Sequence, residues 1–260
     1  LLAGQTSFDV AATQAPSGIS VQKLTVTNPQ LRVQADGDTA SGLNLQARLA
    51  DLGLVQPEFP GPLEVGGTVR EEGANFVVDL DIAAPGSTQL QLAGSAARDF
   101  STTNLALTGN SNASIANSFI RTRSVEGPVS LDLTINGAPS LNAVSGRVQL
   151  SNGQVADPGV GISINNLNVT ADLNGGRIQI DAGGNVASGG RVEVTGPVDL
   201  NSGSLDLAIL LDRVIARDPN LYQTEINGRL TMTGNNAAGP LIAGRIDLGE
   251  TEIRIPSTGL

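Results

Sequence analysis

The stretch Gly127-Pro-Val-Ser-Leu-Asp-Leu-Thr-Ile-Asn-Gly137 decides the fold class. Val129, Leu131, Leu133 and Ile135 alternate with Ser130, Asp132, Thr134 and Asn136. Successive side chains of a strand point to opposite faces, so this run has one apolar and one polar side. A step through Pro139 and Leu141 leads to Gly146-Arg-Val-Gln-Leu150, read as a second strand opening with Gly-Arg. The phrase returns as Gly228-Arg-Leu-Thr-Met-Thr-Gly234, Pro240-Leu241-Ile242 and Gly244-Arg-Ile-Asp-Leu248. A looser version holds Gly176-Arg-Ile-Gln-Ile180 and Gly190-Arg-Val-Glu-Val194, followed by Gly196-Pro197. The strongest repeats span 127–155 and 228–255. A repeated strand unit stacks into a long sheet or a solenoid, not a ball around one pocket.

The same alternation extends outward. Leu43, Leu45, Ala47 and Leu49 oppose Asn44, Gln46 and Arg48, and Phe76, Val78, Leu80 and Ile82 share a face. Ser204-Leu-Asp-Leu-Ala-Ile-Leu-Leu211 repeats the pattern, with Leu210 as an outward exception. About seventeen such runs follow the short-strand rhythm of all-β architectures. Asp36-Gly37, Asn136-Gly137, Asn152-Gly153 and Asn174-Gly175 read as tight turns, because these dipeptides tolerate positive φ. Asn227-Gly228 has the same chemistry, but Ile226 and Leu230 stay in phase across it, which also fits a mid-strand position. Two stretches, 112–121 and 212–223, lack alternation and read as short helices or loops. Pro57 to Pro62 reads as a turn or extended link. No composition shift marks a boundary, so residues 1–260 read as one elongated β domain cut from a longer chain.

Composition narrows the function classes. With 25 Asp and Glu against 15 Lys and Arg, the net charge is -10. Such a chain, with no basic run, repels phosphate, which argues against nucleic acid as a partner and against docking on an anionic membrane surface. Aromatic residues make up 2 %, with no Trp, so stacking platforms for bases or sugars are scarce. There is no Cys and no His, which removes the thiolate nucleophile and the commonest general base and transition-metal ligand. No run of about 18 apolar residues is present.

Chemical motifs are sparse. Ser20-Val-Gln-Lys23 matches the Ser-x-x-Lys of serine acylases but has no companion motif. Asp79 and Asp81 share a strand face about 7 Å apart, a separation that could serve an inverting glycosidase, but without Trp to hold a sugar a solvated outer face is the expectation. Gly175-Gly176 and Gly183-Gly184 around Asp181 fail the spacing of calcium-binding nonapeptide repeats. No catalytic, cofactor-binding or metal-binding residue is assigned. The inward faces are nearly all aliphatic and fit either a closed, dry core or an open groove for acyl chains. On physical grounds alone the closed core is the default expectation.

From Gly127 to Leu173, and again from Gly228 to Ile255, the chain resembles the C-terminal part of the TamB family. This is the inner-membrane-anchored subunit of the Gram-negative translocation and assembly module, within the AsmA-like group. The resemblance rests on Gly-x-hydrophobic-x-Leu-x-hydrophobic-x-Gly, a Pro step, then Gly-Arg-hydrophobic-x-Leu, and on Ile162 to Ile178. It covers roughly the last 150 residues; residues 1–110 match only in style. It implies a curled, solenoid-like trough (a β-taco) with an apolar concave face, in the periplasm. It implies phospholipid moving along that trough, or help to outer-membrane protein strands, with an outer-membrane barrel of the BamA type (TamA-like) as partner. The membrane anchor is expected outside this fragment, and the family supplies no catalytic residues. The candidate trough lining is Val129, Leu131, Leu133, Ile135, Val148, Leu150, Ile178, Ile180, Val192, Val194, Leu205, Leu207, Ile209, Leu230, Ile246 and Leu248. The competing expectations are a surface-exposed β-solenoid adhesin or autotransporter passenger, and an edge-strand docking protein.

Overall fold

A computed structural model of the protein describes residues 3–15, 18–120, 122–159, 161–218, 221–235 and 239–253. Ile255 of the second repeat, Arg121, and Pro219 and Asn220 of the second non-alternating stretch lie outside the described residues. The chain is all-β, and the described residues hold seventeen strands joined in one antiparallel sheet. It falls into two compact units: Leu1–Phe119 with Ser130–Gly146, and Ile120–Val129 with Arg147–Leu260.

The first unit is a meander of β1 (Ser7–Ala15), β2 (Gly18–Thr27), β3 (Leu31–Asp38), β4 (Gly42–Leu49), β5 (Leu63–Glu72), β6 (Asn75–Ala84), β7 (Thr88–Ala97) and β8 (Thr103–Asn112). Each pairs antiparallel with the next. The second unit holds β9 (Ser124–Glu126), then β11 (Val144–Asp157), β12 (Ile162–Asn174), β13 (Arg177–Val186), β14 (Arg191–Asp199), β15 (Ser204–Asp218), β16 (Tyr222–Asn235) and β17 (Gly239–Ile253). β10 (Pro128–Gly137) lies mostly in the first unit, where it pairs with β8. The Thr103 hydroxyl donates to the Gly137 carbonyl at 3.0 Å across that pair. β11 pairs with β9, and β12 to β17 continue as a meander. These ladders are antiparallel between neighbours, so the repeat builds a sheet and not the stacked parallel coils of a β-solenoid.

Several local readings are corrected. The glycines of Gly146-Arg147, Gly228-Arg229 and Gly244-Arg245 sit inside β11, β16 and β17, and do not open strands. Asp36-Gly37 lies within β3, and the hairpin turn comes later, at residues 39–41. Asn152-Gly153 lies within β11, where Asn152 takes φ 50°. Asn174-Gly175 is the expected tight turn, with Asn174 and Arg177 in register across it. The stretch 112–121 contains a 3-10 turn, Ala113–Ser118, capped by the Asn112 carboxamide oxygen accepting from the Ser114 amide at 2.9 Å. Asp212 to Asp218 is strand, not helix. A bulge between Leu211 and Val214, with Arg213 at φ 48°, resets the alternation there.

Gly67 shows why glycine recurs mid-strand. Its φ is 145°, and a Cβ there would stand 2.1 Å from the Asp79 carbonyl oxygen of the facing strand. Only glycine accepts that backbone and that approach, and such kinks bend a sheet. The same approach, at 2.2–2.3 Å, occurs at Gly94, Gly146, Gly196 and Gly244.

Adjacent Gly66 has ordinary φ, and the nearest atom to its Cβ position is the Leu45 carbonyl oxygen at 4.0 Å. Gly67→Ala is therefore expected to destabilise the chain by about 1–3 kcal/mol. Gly66→Ala is expected to be neutral or to stabilise it by up to about 1 kcal/mol. Urea-unfolding midpoints of the two variants check this pair of opposite signs.

Candidate functional site

Within each unit the apolar residues of successive strands fall into register and make a band across one face. In the first unit Val33, Ala47, Val65, Ile82 and Leu90 stand in one cross-strand row from β3 to β7. Ala35, Leu45, Gly67, Leu80, Leu92 and Leu107 make the next row, ending on β8. In the second unit Ala182, Val194, Ile209, Leu230 and Gly244 are register partners from β13 to β17. Beside them run Gly184, Val192, Leu211, Gly228 and Ile246. The β15 bulge keeps Leu211 and Val214 on this one face despite the broken alternation.

These bands are not sealed. Among the described residues the buried apolar side chains are Ala35, Ala96, Ala113, Val186 and Val214, and no large side chain is fully buried. The closed, dry core expected on physical grounds is therefore overturned. Among the described residues each unit presents one layer of sheet, and nothing packs over most of its aliphatic face.

The sixteen predicted lining residues divide accordingly. Leu131, Leu133 and Ile135 on β10 are half-buried in the first unit. Val129, Val148, Leu150, Ile178, Ile180, Val192, Val194, Leu205, Leu207, Ile209 and Leu230 are half-buried in the second. Ile246 and Leu248 differ, at 51 % and 63 % exposed. They share the face of Leu230 and Ile226, but β17 is the last strand of its meander and every residue of it is exposed. The β3–β8 band of the first unit is missing from the predicted lining, although its alternation at Leu43–Leu49 and Phe76–Ile82 is equally regular.

One end of the first unit's band is covered. The β4–β5 connection lies against it, beside an open cavity of about 360 Å³ lined by Leu31, Ala47, Leu49, Leu54, Val55, Leu63 and Val65. Nothing in the sequence alternation points to this cover. It is tied down by Asp51, whose Oδ1 accepts from the Gly53 amide at 2.9 Å and the Gly61 amide at 2.8 Å. Phe59 of the same connection meets Phe119 edge-to-face at 5.4 Å.

The other sequence motifs occupy strand positions. Lys23 pairs with Asp9 of β1, and Ser20 is the register partner of Asp38. Asp79 and Asp81 are exposed on the polar face, where the Gln91 amide donates to Asp79 at 3.1 Å. Asp181, Gly183 and Gly184 are interior positions of β13. Among the described residues no group of three acidic or metal-ligating side chains is placed to hold a metal ion, and no helix is long and apolar enough to cross a membrane. No family model, no curated protein and no solved structure matches the chain.

Hydrogen bonds accepted from Gly61 and Gly53 hold the Asp51 carboxyl below its usual pKa. A depressed folded pKa contributes stability above the unfolded value of about 3.9 and loses it as pH falls through the folded one. The Gly53 and Gly61 amide resonances should therefore titrate together with an inflection below about pH 3.9. Asp51→Ala should release the cover at neutral pH, seen as increased hydrogen exchange at residues 52–61. An inflection at or above 3.9, or unchanged exchange in the variant, contradicts this role.

Proposed function

We propose that this chain is a segment of a TamB-like periplasmic bridge that shields phospholipid acyl chains during outer-membrane biogenesis. The observation that supports the reading is the half-buried aliphatic face with no second layer over it. Monomeric soluble domains rarely leave apolar patches beyond a few hundred Å² uncovered, and larger ones mark surfaces with a ligand or partner. Each methylene moved from water onto such a face gains about 0.8 kcal/mol, so an acyl chain is held without specific contacts. A wall of Leu, Ile and Val suits sliding, because no polar group is stripped of water at each step. The opposite face, with Asp132, Gln149 and Asp206, stays solvated. In this reading the outer-membrane partner is a BamA-type barrel, and the anchor in the inner membrane lies elsewhere in the protein. The chain acts as a conduit and not as an enzyme.

Photocrosslinking in cells against labelled phospholipid tests the proposal. Probes at Leu131, Leu150 and Leu207 are expected to give lipid adducts, and probes at Asp132, Gln149 and Asp206 none. Adducts at neither set, or equally at both, contradict it. Leu131→Asp places a charge on a half-buried site, with an expected stability cost of roughly 1–2 kcal/mol. It should abolish adducts at a neighbouring probe while the circular dichroism of the sheet is retained. If the variant simply unfolds, the side chain belongs to a core and the conduit reading loses its support.

A further inference from the structure

The polar face of the first unit carries an arrangement that stability alone does not favour. Arg32 on β3 and Arg48 on β4 are direct register partners. Like charges directly opposite on an antiparallel pair, with Cβ atoms about 4.5–5.5 Å apart, repel each other. Only half of the pair is compensated. Arg48 Nη1 lies 2.7 Å from Glu64 Oε1 on β5. The Arg32 guanidinium has no carboxylate partner among the described residues.

The surroundings suit an anion. At the next polar position Gln34 stands opposite Gln46, so two amide side chains adjoin the two guanidiniums. Gly66 is the β5 partner of Gln46 and brings no side chain to the row. A cavity of about 370 Å³ opens there, in front of Arg32, Gln34, Gln46, Arg48, Glu64 and Gly66. The lining holds two guanidiniums against one carboxylate, Glu64, with Asp36 along β3 and Asp81 opposite Gly66 on the same face but outside it, in a chain whose net charge is -10. An uncompensated guanidinium fork recognises oxyanions in bidentate fashion, and side-chain amides add neutral donors.

The second unit supplies a contrast. Arg229 and Arg245 are also register partners, beside a cavity of about 520 Å³ shared with Arg191. There Glu193, Asp212 and Asp247 line the same cavity, three carboxylates against three guanidiniums. Arg245 is 2.7 Å from Asp247, and Arg191 is 2.8 Å from Glu193. Arg229 forms no ion pair among the described residues either, and Asp212 lies 3.5 Å from Arg213, but three carboxylates line this cavity where Glu64 alone lines that of Arg32.

We infer that the polar face of β3–β5 is a binding site for a phosphate group, held by Arg32, by the free donors of Arg48 and by the amides of Gln34 and Gln46. Inorganic phosphate and the phosphate of an anionic lipid headgroup share this chemistry. The site lies on the face opposite the aliphatic band and does not depend on acyl-chain binding.

The test uses the whole 260-residue chain. Side-chain NH resonances of arginine and glutamine are followed while inorganic phosphate replaces chloride at constant ionic strength. Sedimentation with phosphatidylglycerol vesicles, against phosphatidylcholine vesicles, forms the second arm. The expected result is saturable shifts at Arg32, Arg48, Gln34 and Gln46 but not at Arg229. Arg32→Gln should weaken binding at least about tenfold, the loss of one charge-assisted contact. Arg229→Gln should leave it unchanged. The unfolding midpoint of Arg32→Gln should not fall, since a repulsion is removed. Shifts with inorganic phosphate assign a free phosphate ligand. Arg32-dependent sedimentation with phosphatidylglycerol alone assigns a headgroup. Absence of both, or equal binding by wild type and Arg32→Gln, overturns the site.

Discussion

The antiparallel ladder between strands adjacent in sequence is the constraint on which everything else rests. In a domain with two packed layers, burial of apolar area holds the layers together and the ladder follows. Here each unit has one layer and few buried side chains, so backbone pairing and cross-strand side-chain contacts between neighbours support the sheet. Among the described residues the extensive strand contacts run between ladder neighbours, most of them consecutive in sequence, while β10 pairs back with β8 and β11 with β9. Stability of this kind is nearly a sum of local terms. It tolerates an apolar face left open to solvent, because no distant layer has to be recruited to form it.

The two faces then take separate roles. The polar face is solvated by exposed ion pairs such as Arg48 with Glu64 at 2.7 Å and Arg147 with Asp172 at 2.6 Å. Exposed pairs of this kind add little stability, and their regular placement keeps that face wet. The aliphatic face keeps its phase across irregularities. Across the β15 bulge at Asp212 and Arg213 and the close strand approach at Gly67 the aliphatic rows stay on one face, with Leu210 opposite Arg229 as the outward exception. The phosphate site uses the polar face where its charge balance fails, at Arg32.

The sheet and its two-sidedness were legible because period-two alternation at Val129–Ile135 or Leu43–Leu49 is a direct imprint of strand geometry. Turn chemistry was less legible. Asp36-Gly37 and Asn152-Gly153 look like hairpin turns because positive φ is all that the dipeptide reports. In β3 and β11 that φ serves a mid-strand kink or bulge, and the difference lies in the facing strand. The same holds for Asp212 to Asp218, where Arg213 at φ 48° shifts the period and hides a strand. The degree of burial was not legible at all. Leu230 and Ile246 have equivalent patterns, yet one has strands on both sides and the other lies on the last strand of the meander. The cover over the first band is a connection held by Asp51 and Phe59, residues with no periodic signal. The opposed arginines of β3 and β4 emerge only once register is known.

The account depends most on the aliphatic faces being open to solvent, and the absence of cysteine makes that directly measurable. Single cysteines would replace Leu131, Leu207, Leu80 and, on the polar side, Asp132 and Asp206. Each variant would be reacted with a small maleimide under native conditions. The account predicts that the inward cysteines react within roughly tenfold of the outward ones, as half-exposed thiols do. Protection of the inward set by several orders of magnitude, released only on unfolding, would mean a sealed core and would contradict it.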